Sequence, residues 1–212
     1  MTSEEQSVNV DIHNHEVHRD DVGARMGMWL FLFTELLLFG GLFLVYAVYR
    51  FKFPDQFQIA AMELNTTIGA LNTIILLTSS LTVALSIVAL QKGKRSLSIA
   101  MLIITNILAF AFMINKYFEW TTKIHHGIYP GSEHLLNLPD GQILFYGLYY
   151  IMTGLHGLHV IIGLVFLSIV MVFVYTGSVN KDSFVKLENA GLYWHLVDLI
   201  WIFLFPLFYL LQ

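Results

Sequence analysis

The sequence contains no cysteine and little charge. None of the 212 residues is Cys, and only 12% are Asp, Glu, Lys or Arg. The absence of Cys excludes disulfides, thiolate metal ligands and a cysteine nucleophile. The formal net charge of −4 is modest, and no basic block indicates nucleic-acid binding or a polybasic membrane anchor. No basic segment followed by an apolar one opens the sequence, so we expect no cleavable signal.

Apolar residues, by contrast, are abundant. Hydrophobic residues make up 57% of the chain and aromatic residues 15%, which is more apolar surface than most soluble domains can bury. At about 1.5 Å per residue, each of five apolar runs can cross the roughly 30 Å hydrocarbon core of a bilayer. The sequence therefore predicts an all-α polytopic membrane protein, a bundle of five transmembrane helices within residues 26–212. The expected spans are 27–50, 67–90, 97–120, 143–175 and 190–211.

Residues 1–25 are polar and are expected to form a mobile tail. Its three histidines, His13, His15 and His18, could bind a metal weakly or exchange protons at the surface, or the tail could simply be solvated. The tail, the second loop and the fourth loop together carry most of the 11 Lys and Arg residues. The positive-inside rule then places the N-terminus in the cytoplasm and the C-terminus outside.

The first span contains an acid, Glu35, near its middle. Counted from Gly27, Glu35 lies about 12 Å along the helix axis, too deep for its short side chain to reach a headgroup layer easily. An ionised acid at this depth costs about 2.5–3.5 kcal/mol, so we expect it to be protonated, paired, or facing protein or water. Glu35 is therefore a candidate functional residue, although a hydrogen bond that only fixes helix packing remains the alternative.

Polar residues on the second and third spans have simpler interpretations. Asn72, Ser79, Thr82 and Ser86 form one stripe of a helix, which favours close packing against another membrane helix. Because such stripes and buried charges need protein neighbours, we predict that a partner subunit contacts the first and second helices. Glu119 lies three residues after Lys116 at an aromatic helix end, which indicates an acid at the bilayer interface.

The last two spans carry histidines and acids. His156 and His159 share one face, and packing and hydrogen bonding to neighbouring helices are favoured over a metal site, because the further ligands of haem or carboxylate sites are not evident. His195 and Asp198 stand three residues apart and could hydrogen bond, with Glu188 near the entry of the last span. Trp194 and Trp201 are seven residues apart on one side of that helix, where we expect contact with lipid or an interface.

Five segments in one order and spacing resemble subunit III of the haem-copper cytochrome c oxidases. They are MWLFLFTELLLFGGLFLVYAVYR, LNTIILLTSS, FEW, TGLHGLHVIIG and LYWHLVDLIWIFLF. The resemblance extends from about Met26 to the C-terminus. It implies a bacterial cytoplasmic-membrane protein that has no catalytic residue, metal or redox centre of its own. In this family the haems and copper belong to subunits I and II, and subunit III packs on subunit I, binds phospholipid and supports proton uptake.

The resemblance also assigns positions. Glu35 matches the intramembrane glutamate of the family, and Glu119, His156, His159, Glu188, Trp194, His195 and Asp198 match other positions of its pattern. Many members have seven helices, of which the first two form one arm of a lipid cleft. This chain starts at what corresponds to the third, so a lipid site that needs both arms is in doubt unless a neighbouring chain replaces the missing arm.

Several alternatives stay open. The same pattern fits subunit III of a quinol oxidase or an accessory subunit of nitric oxide reductase, and the complex could belong to a larger respiratory supercomplex. More remote hypotheses are a haem-binding membrane cytochrome that uses His156 or His159, and a free-standing proton carrier built on Glu35. We expect subunit I, subunit II and membrane lipid as partners, and no nucleic acid.

Overall fold

The structure, a computed structural model, describes residues 3–210, with side chains from Asp21 onward. Its elements are α1 (Ser3–Lys52), α2 (Pro54–Met62), α3 (Thr66–Gln91), α4 (Arg95–His125), α5 (Glu133–Leu136), α6 (Asp140–Thr176), α7 (Val185–Phe205) and a π-helical turn (Pro206–Leu210). Five helical segments are long and apolar enough to cross a membrane, so the five-helix membrane fold is confirmed. The histidines of the predicted tail lie outside the described side chains, and the tail remains a prediction.

Several helices extend beyond the predicted spans. α4 continues to His125, beyond the predicted end at residue 120, and α7 begins at Val185, before the predicted start at residue 190. In both cases the polar residues next to the apolar run are also helical. Local signals fix other boundaries: the side chain of Asn65 accepts hydrogen bonds from two backbone N–H groups and caps α3. Gly177 ends α6 with a left-handed φ of 89°, a conformation that side chains with a Cβ disfavour.

Four helices form the centre of the bundle. α3 packs along α4 and against α7, while α6 packs against both α4 and α7, so the four close into a ring. Large aromatic side chains, among them Phe112, Trp194 and Trp201, fill its interior and are fully buried. α2 and α5 lie at one end of the bundle, which we call the α2–α5 end. The opposite end, with the α3–α4 and α6–α7 connections, is the turn end.

The polar stripe of α3 is buried within this ring, as its predicted packing role requires. All four residues of the stripe are at most 8% exposed. Their hydrogen bonds to α4 join Thr82 to Thr105 at 2.7 Å, Ser86 to Ser98 at 2.9 Å and Asn72 to Asn115 at 2.9 Å. Ser79 instead accepts a hydrogen bond from Trp194 of α7, while Nδ2 of Asn72 has no partner among the described residues. The stripe therefore packs within this chain, and a partner contact at this helix stays a prediction.

α1 lies outside the ring, against α6 and α7. Its buried residues Leu32, Phe39 and Tyr46 recur every seven positions, which makes a narrow seam like that of a coiled coil. The other side of α1 exposes large apolar side chains, including Trp29 at 63% and Leu44 at 66%. The helix is therefore held along one line and leaves a broad apolar face open.

Candidate functional site

The intramembrane acid Glu35 pairs with a histidine of α6. Its Oε2 lies 2.8 Å from Nε2 of His159, and Nδ1 of the same ring lies 2.8 Å from the carbonyl oxygen of Leu155. Since a carbonyl only accepts, Nδ1 must carry a proton, which leaves Nε2 to share one with the carboxyl group. The proton lies either on the ring, giving an ion pair, or on the acid, giving two neutral groups. In both cases the pair as a whole is neutral.

This contact meets the expectation that Glu35 is protonated or paired. Both side chains are largely covered, with 14% of Glu35 and 10% of His159 exposed, and the ring of Phe39 packs edge-on against the imidazole. The sequence marked each of the two residues as a candidate but did not indicate that they meet. A separation of 124 residues explains this, because only the docking of α1 on α6 brings them together.

α4 carries a second buried charge pair, Lys116 and Glu119. Nζ of Lys116 lies 3.0 Å from Oε2 of Glu119, and it also donates to the hydroxyl groups of Tyr149 at 3.2 Å and Tyr209 at 3.0 Å. Both tyrosines in turn donate to Oε1 of Glu119, at 2.7 and 2.5 Å. All three ammonium hydrogens and both carboxylate oxygens are therefore used.

The interfacial position predicted for Glu119 is wrong. Only 5% of its side chain and 8% of that of Lys116 are exposed. Two features bury the pair: α4 continues for six residues beyond Glu119, and the π-helical turn at the end of the last span brings Tyr209 over it. Because the network is closed and fully hydrogen bonded, it has the character of a structural element.

His156 packs against neighbouring helices as predicted, but the predicted hydrogen bond is not formed within the described residues. Its side chain is fully buried between the rings of Phe112 and Trp201, at centroid distances of 5.7 and 5.2 Å. Neither ring nitrogen has a hydrogen-bond partner within the part of the chain that the structure describes. Aromatic packing, and not hydrogen bonding, therefore surrounds this histidine.

The hydrogen bond considered between His195 and Asp198 is not formed among the described residues. Nδ1 of His195 lies 2.6 Å from the hydroxyl of Ser80 on α3. The carboxyl group of Asp198 is buried at 3% exposure and has Ser80 as a neighbour, but no residue from 21 to 210 hydrogen bonds to it. The partner of His195 thus comes from α3, since Ser80 lies within hydrogen-bond distance of the imidazole. Asp198, one turn further along α7, does not bond to it.

The two tryptophans of α7 face the interior of the ring and not lipid. Both are fully buried, and their indole N–H groups donate to Ser79 and Thr73 of α3, each at 3.0 Å. Gly163 of α6 makes room for one of them, since a Cβ at this position would lie 2.8 Å from Trp194. The position predicted for Trp194 and Trp201 therefore differs from the structure, because hydroxyl groups of α3 accept hydrogen bonds from both rings inside the bundle.

Glu188 lies at the turn end, where it pairs with the first helix. Nη2 of Arg25 lies 2.9 Å from Oε2 of Glu188, with 50% and 28% of the two side chains exposed. At the other end of α1, the hydroxyl of Tyr46 donates to the carbonyl oxygen of Leu207 at 2.6 Å. Together with Glu35 these contacts fix the membrane-spanning part of α1, Asp21–Lys52, near both ends and in its middle.

A polar cavity of about 510 Å³ opens at the α2–α5 end, and the sequence did not indicate it. Residues from α3, α4, α5 and the adjoining connections line it: Glu63, Asn65, Ile68, Glu119, Thr122, Lys123, His126, Ile128 and His134. One signal was available, because Lys123 follows Lys116 by seven residues and so lies on nearly the same face of α4. Among the side chains that the structure describes, no three His, Asp or Glu are grouped as a metal site.

Comparisons with known proteins agree with this architecture. The family model described as "Cytochrome c oxidase subunit III" matches residues 4–212. The chain is 32% identical to cytochrome c oxidase subunit 3 of Thermostichus vulcanus, over 100% of this chain and 96% of that protein. It is 30% identical to a probable quinol oxidase subunit 3 of Staphylococcus saprophyticus, over 95% and 94% of the two chains. A third relative, the haem-copper oxidase subunit I+III of Aeropyrum pernix, is 29% identical over 88% of this chain, which spans only 22% of that longer protein.

Proposed function

Because this chain belongs to the cytochrome c oxidase subunit III family, we propose that it is the accessory, non-redox subunit of a respiratory haem-copper oxidase. The observation that carries the proposal is the family match over nearly the whole chain. The internal chemistry is compatible with it, since Lys116 and Glu119 are tied up by hydrogen bonds inside the bundle. Haem and copper then belong to the partner subunits, and this chain contributes surface, lipid contacts and protonatable groups.

The partner that we propose for the bundle is subunit I, with subunit II in the same complex. The Aeropyrum pernix relative is named haem-copper oxidase subunit I+III, which supports the proposal that the two subunits are neighbours. The exposed apolar face of α1 supplies surface for such contacts or for lipid, because it is the least covered of the five spans. We place the complex in the bacterial cytoplasmic membrane, with the N-terminus of this chain inside.

For proton uptake, the residues that we propose are Glu35 and His159. Their shared proton lies at membrane depth, on the side of α6 to which α1 docks. Intramembrane acids and histidines of this kind mark proton paths in many membrane proteins. The role proposed for the pair is to hold a proton close to the partner subunit while the complex turns over.

A second candidate is subunit III of a quinol oxidase, which the Staphylococcus saprophyticus relative favours. The fold is the same in both cases, and only the electron donor differs. Donor binding lies in other subunits, so this chain contributes the same accessory role to either complex.

Purification of the complex through a tag on this chain tests the proposal. We expect the tagged chain to bring with it a haem-containing partner whose reduced-minus-oxidised spectrum and oxygen consumption are those of a terminal oxidase. Oxygen consumption with reduced cytochrome c and then with a quinol identifies the donor. A tagged chain that is stable in the membrane yet brings no haem protein, or that carries haem after separation from its partners, contradicts the accessory role.

The proton role has its own test in the purified complex. Glu35→Gln keeps a hydrogen-bonding group at this position but cannot release a proton, so we expect normal assembly and fewer turnovers before the oxidase loses activity. The matched control is Glu133→Gln, which makes the same change at an exposed acid on α5. Equal catalytic lifetimes for the two variants contradict a role in proton uptake.

A further inference from the structure

The polar cavity at the α2–α5 end is lined by Lys123, a largely buried residue whose ammonium group has no hydrogen-bonding partner among the described residues. Lys123 is 7% exposed, and the structure shows no hydrogen bond and no ion pair within 4 Å for its ammonium group among residues 21–210. The group lies 5.6 Å from the ring centroid of Tyr146 and 5.9 Å from that of Tyr149. Ring faces attract a cation, but they do not replace the oxygen atoms that hydrate an ammonium ion in water.

The two acids near Lys123 do not hydrogen bond to it in the described part of the chain. Glu119 acts on Lys123 through its charge, but both of its oxygens are already occupied by Lys116 and two tyrosines. Glu63 also acts on Lys123 through its charge, and it accepts a 2.5 Å hydrogen bond from Tyr146 through Oε2. Its Oε1 has no hydrogen bond in the described part of the chain, and the side chain is exposed to the cavity.

The cavity therefore presents one free ammonium group and one free carboxylate oxygen. A ligand that satisfies both must bear an anionic oxygen group and, close to it, a hydrogen-bonding cation. The imidazole groups of His126 and His134 and the amide of Asn65 surround the mouth and can donate further hydrogen bonds. A simple anion would contact only Lys123 and a metal ion only Glu63, whereas a ligand that carries both charges contacts both groups at once.

We propose that this cavity binds the phosphoethanolamine group of an aminophospholipid, with the phosphate at Lys123 and the amine at Glu63. The position in the fold favours a lipid as the source of this group. Asn65 caps the start of α3 and His126 follows the end of α4, so the mouth lies where two membrane-spanning helices end. Ile68 and Ile128 supply apolar lining for the part of the lipid next to the headgroup. The volume of about 510 Å³ is within the range of small-ligand sites.

This inference gives a location and a headgroup to the lipid contacts of the proposed function. Its test uses the intact complex purified through the tagged chain, stripped of lipid in detergent and titrated with palmitoyl-oleoyl phosphatidylethanolamine. Native mass spectrometry counts the lipids retained per complex. We expect Lys123→Met to weaken the retention of one phosphatidylethanolamine at least tenfold, while Lys123→Arg stays within threefold of the native chain. The matched control Lys92→Met removes an exposed lysine at the turn end and should change nothing.

Glu63 provides the test of the amine contact. Glu63→Gln should weaken phosphatidylethanolamine binding but leave phosphatidylglycerol binding unchanged, because the second lipid has no amine. Equal binding of the two lipids by the native chain, or unchanged phosphatidylethanolamine retention in Lys123→Met, overturns the proposal. Displacement of the lipid by free phosphoethanolamine at equal concentration also overturns it, because the ligand would then be a soluble phosphate ester. Samples are compared only when the haem-containing partner is present, so loss of the partner counts against the proposed function and not against this site.

Discussion

Replacement of Glu119 by Gln should strongly destabilise the bundle. The variant removes a negative charge 3.0 Å from a buried ammonium group. At an effective dielectric constant of about 20, two unit charges at this distance attract by about 5.5 kcal/mol. Measured losses on breaking one side of a buried ion pair are about 3–5 kcal/mol, since an uncompensated charge is left behind. The Gln amide oxygen can still accept hydrogen bonds from the tyrosines, so we attribute most of the expected 3–5 kcal/mol to Lys116.

The double variant separates charge from packing. Lys116→Met alone leaves the acid of Glu119 without its counter-charge, and each single variant should therefore be costly. Lys116→Met combined with Glu119→Gln leaves no buried charge, so its cost should fall below the sum of the two single costs by about 2 kcal/mol or more. The cycle thus measures the pairing of the two groups directly.

Unfolding of the purified chain or complex in mixed detergent, followed by near-ultraviolet circular dichroism, gives these free energies. Lys94→Met serves as the control, because it removes an exposed lysine in the α3–α4 connection. If Glu119→Gln costs less than about 1 kcal/mol and the double variant shows no coupling, the reasoning from burial and charge is refuted.

Three further predictions concern helix docking, core packing and topology. Glu35→Ala should loosen α1 by about 1–3 kcal/mol for the hydrogen-bonding group left unpaired, while Glu35→Gln should not, as measured by protease cleavage of α1 in detergent. Gly163→Ala places a Cβ 2.8 Å from Trp194 and should lower stability by about 1–3 kcal/mol in thermal unfolding; an unchanged midpoint would show that the ring can move freely. Because the chain has no Cys, Ser178→Cys should react with an impermeant maleimide only in inside-out vesicles and Asn137→Cys only in right-side-out ones. The reverse result would invert the proposed orientation.

The sequence predicted the spans well because a membrane-spanning helix can be recognised from the length and hydropathy of its own segment. Length and hydropathy located all five, and errors arose at their ends, where the polar residues from Thr121 to His125 extend α4. The packing role of the α3 stripe was also predictable, because small polar residues at helical spacing are typical of contacts between membrane helices.

Pairings between helices were less predictable. Glu35 was identified by its cost in a bilayer, but its partner depends on how α1 docks, which no local pattern specifies. Glu119 was predicted at the bilayer interface because its sequence neighbours are aromatic. No sequence pattern indicated that Tyr209, 90 residues later, would pack over this acid and hydrogen bond to it. For Asp198 the nearest candidate in sequence was His195, whereas in the structure a serine from another helix binds that histidine.

The neutral pair of Glu35 and His159 has an electrical consequence. Moving one elementary charge across a whole membrane at 100 mV involves about 2.3 kcal/mol. The two atoms that share the proton are 2.8 Å apart, roughly a tenth of the 30 Å core, so even a fully aligned transfer would involve only about 0.2 kcal/mol. The occupancy of the two proton positions is therefore almost independent of the membrane voltage and is set by the surrounding protein.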